Sequence, residues 1–102
     1  KKDNHKRVIE FGSIKIDLNK LFIHKGSQNL KINSTEKIIL EKMINSPGKI
    51  FNREEIGRMI DLDKERSIDV IITRLRKKVE ENPKSPKYLQ TIRGEGYVLW
   101  IE

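Results

Sequence analysis

The chain has 102 residues, no cysteine, and 22 lysines and arginines against 15 aspartates and glutamates, a net charge of +7. This length fits one domain with one small hydrophobic core, and the absence of cysteine excludes a disulfide framework and any thiolate metal site. No apolar run is long enough to cross a bilayer and no signal-peptide pattern opens the chain, while the basic balance points to a polyanionic partner: DNA, RNA or an acidic membrane surface.

Residues 1–7 read as a polar arm or linker ahead of a domain spanning 8–102, and the missing initiator methionine reads as a fragment of a longer protein. Residues 8–32 predict short antiparallel strands and turns. Ile14, Ile16 and Leu18 alternate with Lys15 and Asp17, the period-2 pattern of a half-buried strand. Turns are expected at Asn19-Lys20 and Gly26-Ser27. The period then changes. Asn33 or Ser34, followed by Glu36, makes a capping-box start for a helix whose Ile39, Leu40, Met43 and Ile44 share one face, and Pro47-Gly48 stops it. Asn52 is placed to cap a second, short helix carrying Ile56, Met59 and Ile60, and a charged loop follows at 61–65.

The third helix, expected over residues 66–81, carries the chemistry. At about 100° per residue, Ile68, Ile72, Leu75 and Val79 form its buried stripe, with Ile71 at the edge. The opposite side presents Arg66, Val70, Thr73, Arg74 and Lys77, while Arg76 and Lys78 flank the stripe. A solvated helix face ordinarily mixes signs. Here residues 73–78 hold four cations and no anion. Val70 among them suits a major groove, where a thymine methyl offers an apolar contact. The face matters because overall charge does not locate a site. Residues 1–51 hold eleven cations against five anions, and residues 52–102 eleven against ten. The last unit is a hairpin, with runs at 88–92 and 97–101 joined by Arg93-Gly94-Glu95-Gly96. Gly94 and Gly96 allow a tight turn, and Arg93 at that turn suits the negative potential of a minor groove. The order is therefore α+β: an antiparallel sheet, three helices and a β-hairpin.

No catalytic constellation accompanies these elements. His5 and His24 lack carboxylates at metal-ligand spacing, Ser67 and Asp69 read as first-turn helix residues, and Gly94-Glu95-Gly96 lacks the context of a dinucleotide loop. Neither an enzyme nor a cofactor is expected.

The run RSIDVIITRLRKKVEENP (66–83), followed by YLQTIRGEGYV (88–98), closely resembles the output domain of OmpR/PhoB-type bacterial response regulators, and nearer its OmpR branch; INSTEKIILEKMINSPGKIFNREEI (32–56) is similar to the first two helices of that family. The resemblance covers nearly the whole chain. It implies a winged helix-turn-helix with an N-terminal antiparallel sheet, three helices and a C-terminal hairpin wing. It also implies a cytoplasmic transcription regulator, an upstream receiver domain, and binding to tandem half-sites of duplex DNA as a dimer, the isolated domain being a monomer. Carried over by position, Arg66, Val70, Thr73, Arg74 and Arg76 become groove or backbone contacts of the third helix. Thr91, Arg93, Gly94 and Tyr97 become phosphate and minor-groove contacts of the wing. RNA polymerase is a further implied partner, through the loop at 61–65, which is short for the family. Lys37 stands where the family carries an aromatic core residue, and Ile71 where many members carry a polar one, so Ile71 is not counted as a contact. Two competing readings remain: a winged helix that binds a protein, which the cationic helix face disfavours, and binding to double-stranded RNA, whose deep groove is closed to side chains.

Overall fold

A four-stranded antiparallel meander opens the fold: β1 (Val8–Phe11), β2 (Ile14–Asp17), β3 (Phe22–Lys25) and β4 (Gln28–Lys31), in sheet order β1-β2-β3-β4. The structure is a computed structural model, and it describes residues 8–60 and 65–101, without the side chains of Phe11 and residues 65–67. The arm at 1–7, most of the loop at 61–65 and the Arg66 side chain therefore lie outside the described residues.

Alternation decides which face of the meander is buried. Ile14, Ile16 and Ile23 point inward and are buried, while Lys15 and Phe22 point out. The β2–β3 turn is pinned by Asp17, whose Oδ1 accepts from the amides of Asn19 (3.1 Å) and Lys20 (3.0 Å). This turn forces Leu21 to φ +62°, a conformation costly for a side chain of its size. The Ile32 amide holds it there by donating to the Leu21 carbonyl at 2.9 Å.

Both helix starts follow the sequence. Asn33 caps α1 (Ser34–Asn45) in a reciprocal box with Glu36, and Asn52 caps α2 (Arg53–Met59) in the same way with Glu55. Each box satisfies two backbone donors that a helix N-terminus otherwise leaves unpaired. Between them lies β5 (Ile50–Phe51), a strand absent from the sequence reading. It pairs with β7 (Gly96–Leu99), which in turn pairs with β6 (Leu89–Ile92), so the wing is an edge of a three-stranded sheet, β5-β7-β6, and not an isolated hairpin.

The third helix, α3 (Glu65–Val79), is shorter at its end than expected. Its Ile68, Ile72, Leu75 and Val79 are buried as predicted and pack toward β3 and α2. Glu80 leaves the helix because its carboxylate is needed elsewhere. It is 1% exposed and accepts from the amides of Lys87 (2.9 Å), Tyr88 (2.8 Å) and Leu89 (2.7 Å). A buried charge persists only where it is paired or richly hydrogen-bonded, and three donors satisfy that condition. Glu80 thus fastens the start of β6 to the end of α3. On the other side, Lys25 Nζ donates to the Lys77 carbonyl at 2.9 Å, placing a cation where the helix leaves carbonyls unpaired.

Candidate nucleic-acid interface

The face of α3 opposite its buried stripe carries Val70, Thr73, Arg74 and Lys77, all exposed. Val70 is 45% exposed, a surface that water does not reward. Thr73 turns its hydroxyl back to the Asp69 carbonyl at 2.8 Å, leaving its methyl group and a hydroxyl acceptor outward. Among the described residues, neither Arg74 nor Lys77 has a side-chain partner. The outward surface is thus cationic, with one apolar element.

The wing tip is the second component. Arg93, Gly94 and Glu95 form the turn between β6 and β7 and are exposed. Gly94 takes φ +79°, with open space around the position of a Cβ. Gly96 has a different reason to be glycine. Its φ is +150°, and a Cβ there would lie 2.2 Å from the Phe51 carbonyl oxygen, so the close approach of β7 to β5 requires a residue without a side chain. Between the wing and the start of α2 opens a cleft of about 330 Å³, lined in part by Arg53, Thr91, Gly94 and Tyr97.

Behind these two surfaces lies a polar network. Arg53, at the start of α2, donates from Nε to Asp69 Oδ1 (2.9 Å) and from a terminal nitrogen to Oδ2 (3.3 Å). The Tyr97 hydroxyl of β7 donates to the same Asp69 Oδ1. The hydrogen bonds from Arg53 and then Tyr97 hold the Asp69 carboxyl below the usual carboxylate range. Burial, followed by the hydrogen bond to Asp69, pushes the Tyr97 phenol up, and the Asp69 hydrogen bond raises Arg53. Further along α3, Arg76 donates to the Leu89 carbonyl (2.8 Å) and to Thr91 Oγ1 (2.7 Å). Lys78 donates to Glu36 Oε1 (2.8 Å) and to the Lys31 carbonyl (2.7 Å).

The profile of the family described as "Transcriptional regulatory protein, C terminal" matches residues 27–99. The chain belongs to this family. Its relatives include protein PetR of Rhodobacter capsulatus, 34% identical over 91% of this chain and 43% of its own length, and the transcriptional regulatory protein YcbL of Bacillus subtilis, also 34% identical with the same shares. The chain therefore spans less than half the length of these relatives. Among solved structures it is similar to the response regulator DrrB of Thermotoga maritima, an OmpR/PhoB homologue (TM-score 0.78, 29% identity, 91% of this chain and 44% of that one). It is also similar to the RstA DNA-binding domain of Klebsiella pneumoniae, solved with the RstA box (TM-score 0.74, 28% identity, 92% of this chain and 97% of that one).

In this OmpR/PhoB-type output domain the residues singled out from sequence fall into two groups. Val70, Thr73, Arg74, Lys77, Arg93 and Gly94 lie on exposed surface of α3 or at the wing tip. Arg76, Thr91 and Tyr97 do not stand free beside them. Arg76 and Thr91 are bonded to each other, and Tyr97 is 5% exposed with its hydroxyl committed to Asp69. Ile71 is partly buried and packs against the core, and Lys37 is half-buried. The sequence reading missed Arg53 and took Asp69 for an ordinary first-turn residue. The only local signal was an acid facing the cationic side of a helix, which asks for a cation from another element.

Proposed function

We propose that this domain binds duplex DNA sequence-specifically as the output domain of a two-component response regulator, with α3 in the major groove and the β6–β7 wing at the adjacent minor groove. The observation that carries the reading is the exposed face of α3. Arg74 and Lys77 stand without side-chain partners among the described residues, around a half-exposed Val70. Arg74 can offer two donors to a guanine edge, and Val70 can meet a thymine methyl. Arg93 on the wing senses groove width and A·T richness rather than base identity. Arg66 remains a proposed contact at the start of α3. Arg76, Thr91 and Tyr97 take a supporting role behind the interface. The RstA relative, solved on its own DNA box, supports this reading.

In the full-length protein, a receiver domain upstream would control pairing of two copies on tandem half-sites about one helical turn apart, in the cytoplasm, with the isolated domain a monomer. Contact with RNA polymerase would fall to the loop at 61–65. No helix among the described residues is long and apolar enough to cross a membrane.

The test is a salt titration with duplex DNA. With about six phosphate contacts, affinity is expected to fall about a thousandfold between low and physiological salt. An affinity that stays flat across that range overturns the reading. A panel of single-base operator variants then separates the two elements. Arg74→Ala is expected to relax preference at one or two positions, and Arg93→Ala to weaken all sequences while removing a flanking A·T preference. A uniform loss for Arg74→Ala makes it a backbone contact instead.

A further inference from the structure

Two tethers join α3 to the wing, and their layout has a geometric consequence. The first runs from Asp69 to the Tyr97 hydroxyl on β7. The second runs from Arg76 to Thr91 Oγ1 and the Leu89 carbonyl on β6. Asp69 and Arg76 are seven residues apart, so they share one side of α3 and are separated by about 10 Å along its axis. Thr91 and Tyr97 are direct partners in the β6–β7 register. Such partners have Cα atoms only about 5 Å apart. From one level of the wing, therefore, two struts diverge to two points on the helix two turns apart. Glu80 fastens the start of β6 and the β5–β7 pairing the far edge, both away from the tip, so with a single strut between them the tip of the wing would still pivot. Two make a triangle, and a triangle fixes an angle.

The pinned pair lies at the base of the wing tip. Arg93 comes two residues after Thr91, within the turn, so its place relative to Arg74 is set by the struts. The β5–β7 pairing closes the wing from its other edge, where Gly96 meets the backbone of Phe51. Arg53 holds the Asp69 carboxylate from the α2 side with two bonds, so the anchor of the first strut is itself immobilised.

We infer that Arg76 and Tyr97 are positioning residues that set the spacing at which this domain reads DNA: the number of base pairs between the major-groove step under Arg74 and the minor-groove step under Arg93. The inference rests on the reading of α3 and the wing as the DNA-contacting elements. One base pair shifts a contact by about 3.4 Å along the axis and by about 35° around it. A wing held at a fixed angle cannot follow that displacement, whereas a pivoting one can.

The experiment uses the 102-residue chain and duplexes carrying its selected recognition sequence, with one base pair added or removed between the two steps. The unmodified protein is expected to bind the shifted duplexes about tenfold or more weakly, as a lost base contact does. Arg76→Met and Tyr97→Phe each remove a strut's donors and keep most of the side chain's bulk. For each, the ratio between parental and shifted duplexes is expected to fall to about threefold or less. The double variant should add little, because the angle is lost with the first strut. Thermal unfolding without DNA reports stability separately. If Arg76→Met does not fold, Thr91→Val, at an exposed position, removes the Oγ1 bond of the second strut while leaving the Leu89 carbonyl bond, so the ratio should fall part-way. Variants that fold and weaken every duplex by one factor, leaving the ratio intact, are merely structural and overturn the inference. If the unmodified protein ignores spacing while Arg74→Ala still relaxes base preference, the inference falls and the DNA reading stands. If no duplex is bound in a salt-dependent way, both fall.

Discussion

Four cations crowd residues 74–78 of α3, and they divide into two pairs. Arg76 and Lys78 flank the buried stripe and turn inward, one to Thr91 and the Leu89 carbonyl, the other to Glu36 and the Lys31 carbonyl. Arg74 and Lys77 point outward and have no side-chain partner among the described residues. The two pairs have the same formal charge and lie on the same two turns. The difference is that the flanking pair lies within reach of buried or backbone acceptors and the outer pair does not. The charge of a helix is thus not the charge it offers a ligand. Half of this cluster holds the domain together, and half stands exposed without side-chain partners among the described residues.

Four measurements would break or sharpen that division. The largest effect is expected from the anion that closes the cluster. Glu80→Ala leaves three backbone amides without their acceptor, and at about 1–3 kcal/mol for each unsatisfied buried donor the loss should be at least about 3 kcal/mol in urea unfolding. Glu80→Gln keeps an acceptor oxygen and should lose less. An effect below about 1 kcal/mol for the alanine variant would show that the amides find water instead.

The inward and outward lysines should differ next. Lys78→Ala strands the Glu36 carboxylate, which is 2% exposed. A fully buried broken pair costs about 3–5 kcal/mol; Glu36 keeps the Asn33 amide and Lys78 is partly exposed, so about 2–3 kcal/mol is expected. Lys77→Ala should stay within about 0.5 kcal/mol of the parent. Equal destabilisation by the two would erase the division.

Binding should show the reverse. Lys77→Ala is expected to lower the slope of log affinity against log salt by about one, because one phosphate contact is lost. Lys78→Met, measured where the variant is folded, should leave the slope unchanged. A slope reduced by the Lys78 variant would mean that its ammonium releases Glu36 to meet DNA.

The smallest effect is a pH dependence. Arg53 and Tyr97 depress the Asp69 carboxyl, so in acid the folded state binds fewer protons there than the unfolded one. That stability is complete above the ordinary aspartate value of about 3.9 and is lost as pH falls through the lower folded value. Asp69→Asn should therefore be less stable than the parent near neutrality, with the gap narrowing in strong acid. Because the Asp69 side chain is nearly half exposed, solvent weakens the effect. A gap of constant size down the acid limb would assign the loss to altered hydrogen bonding alone.

Local chemistry was legible in the sequence wherever donor and acceptor lie within one helical turn. The box Asn33–Glu36 formed as read and Asn52 caps α2 as read, its reciprocal bond with Glu55 adding what the reading had not named, because a spacing of three residues brings side chain and amide together whatever the rest of the chain does. The buried stripe of α3, the alternation of β2 and the glycine-bearing turn of the wing followed from periodicity and backbone freedom in the same way. Together with the family resemblance they yielded the element order and the outward helix face. The two-residue β5 could not be found, since it is too short to carry a period and exists only because β7 lies beside it. Nor could the fate of each cation. Lys78 meets Glu36 across 42 residues, Lys25 meets the Lys77 carbonyl across 52, and Asp69 gathers Arg53 and Tyr97 from 16 and 28 residues away. A long basic side chain reaches any acceptor within several ångströms, and many residues here could have served. Only the packed chain decides which acceptor comes within reach, and so which charges are consumed inside the domain and which remain for its partner.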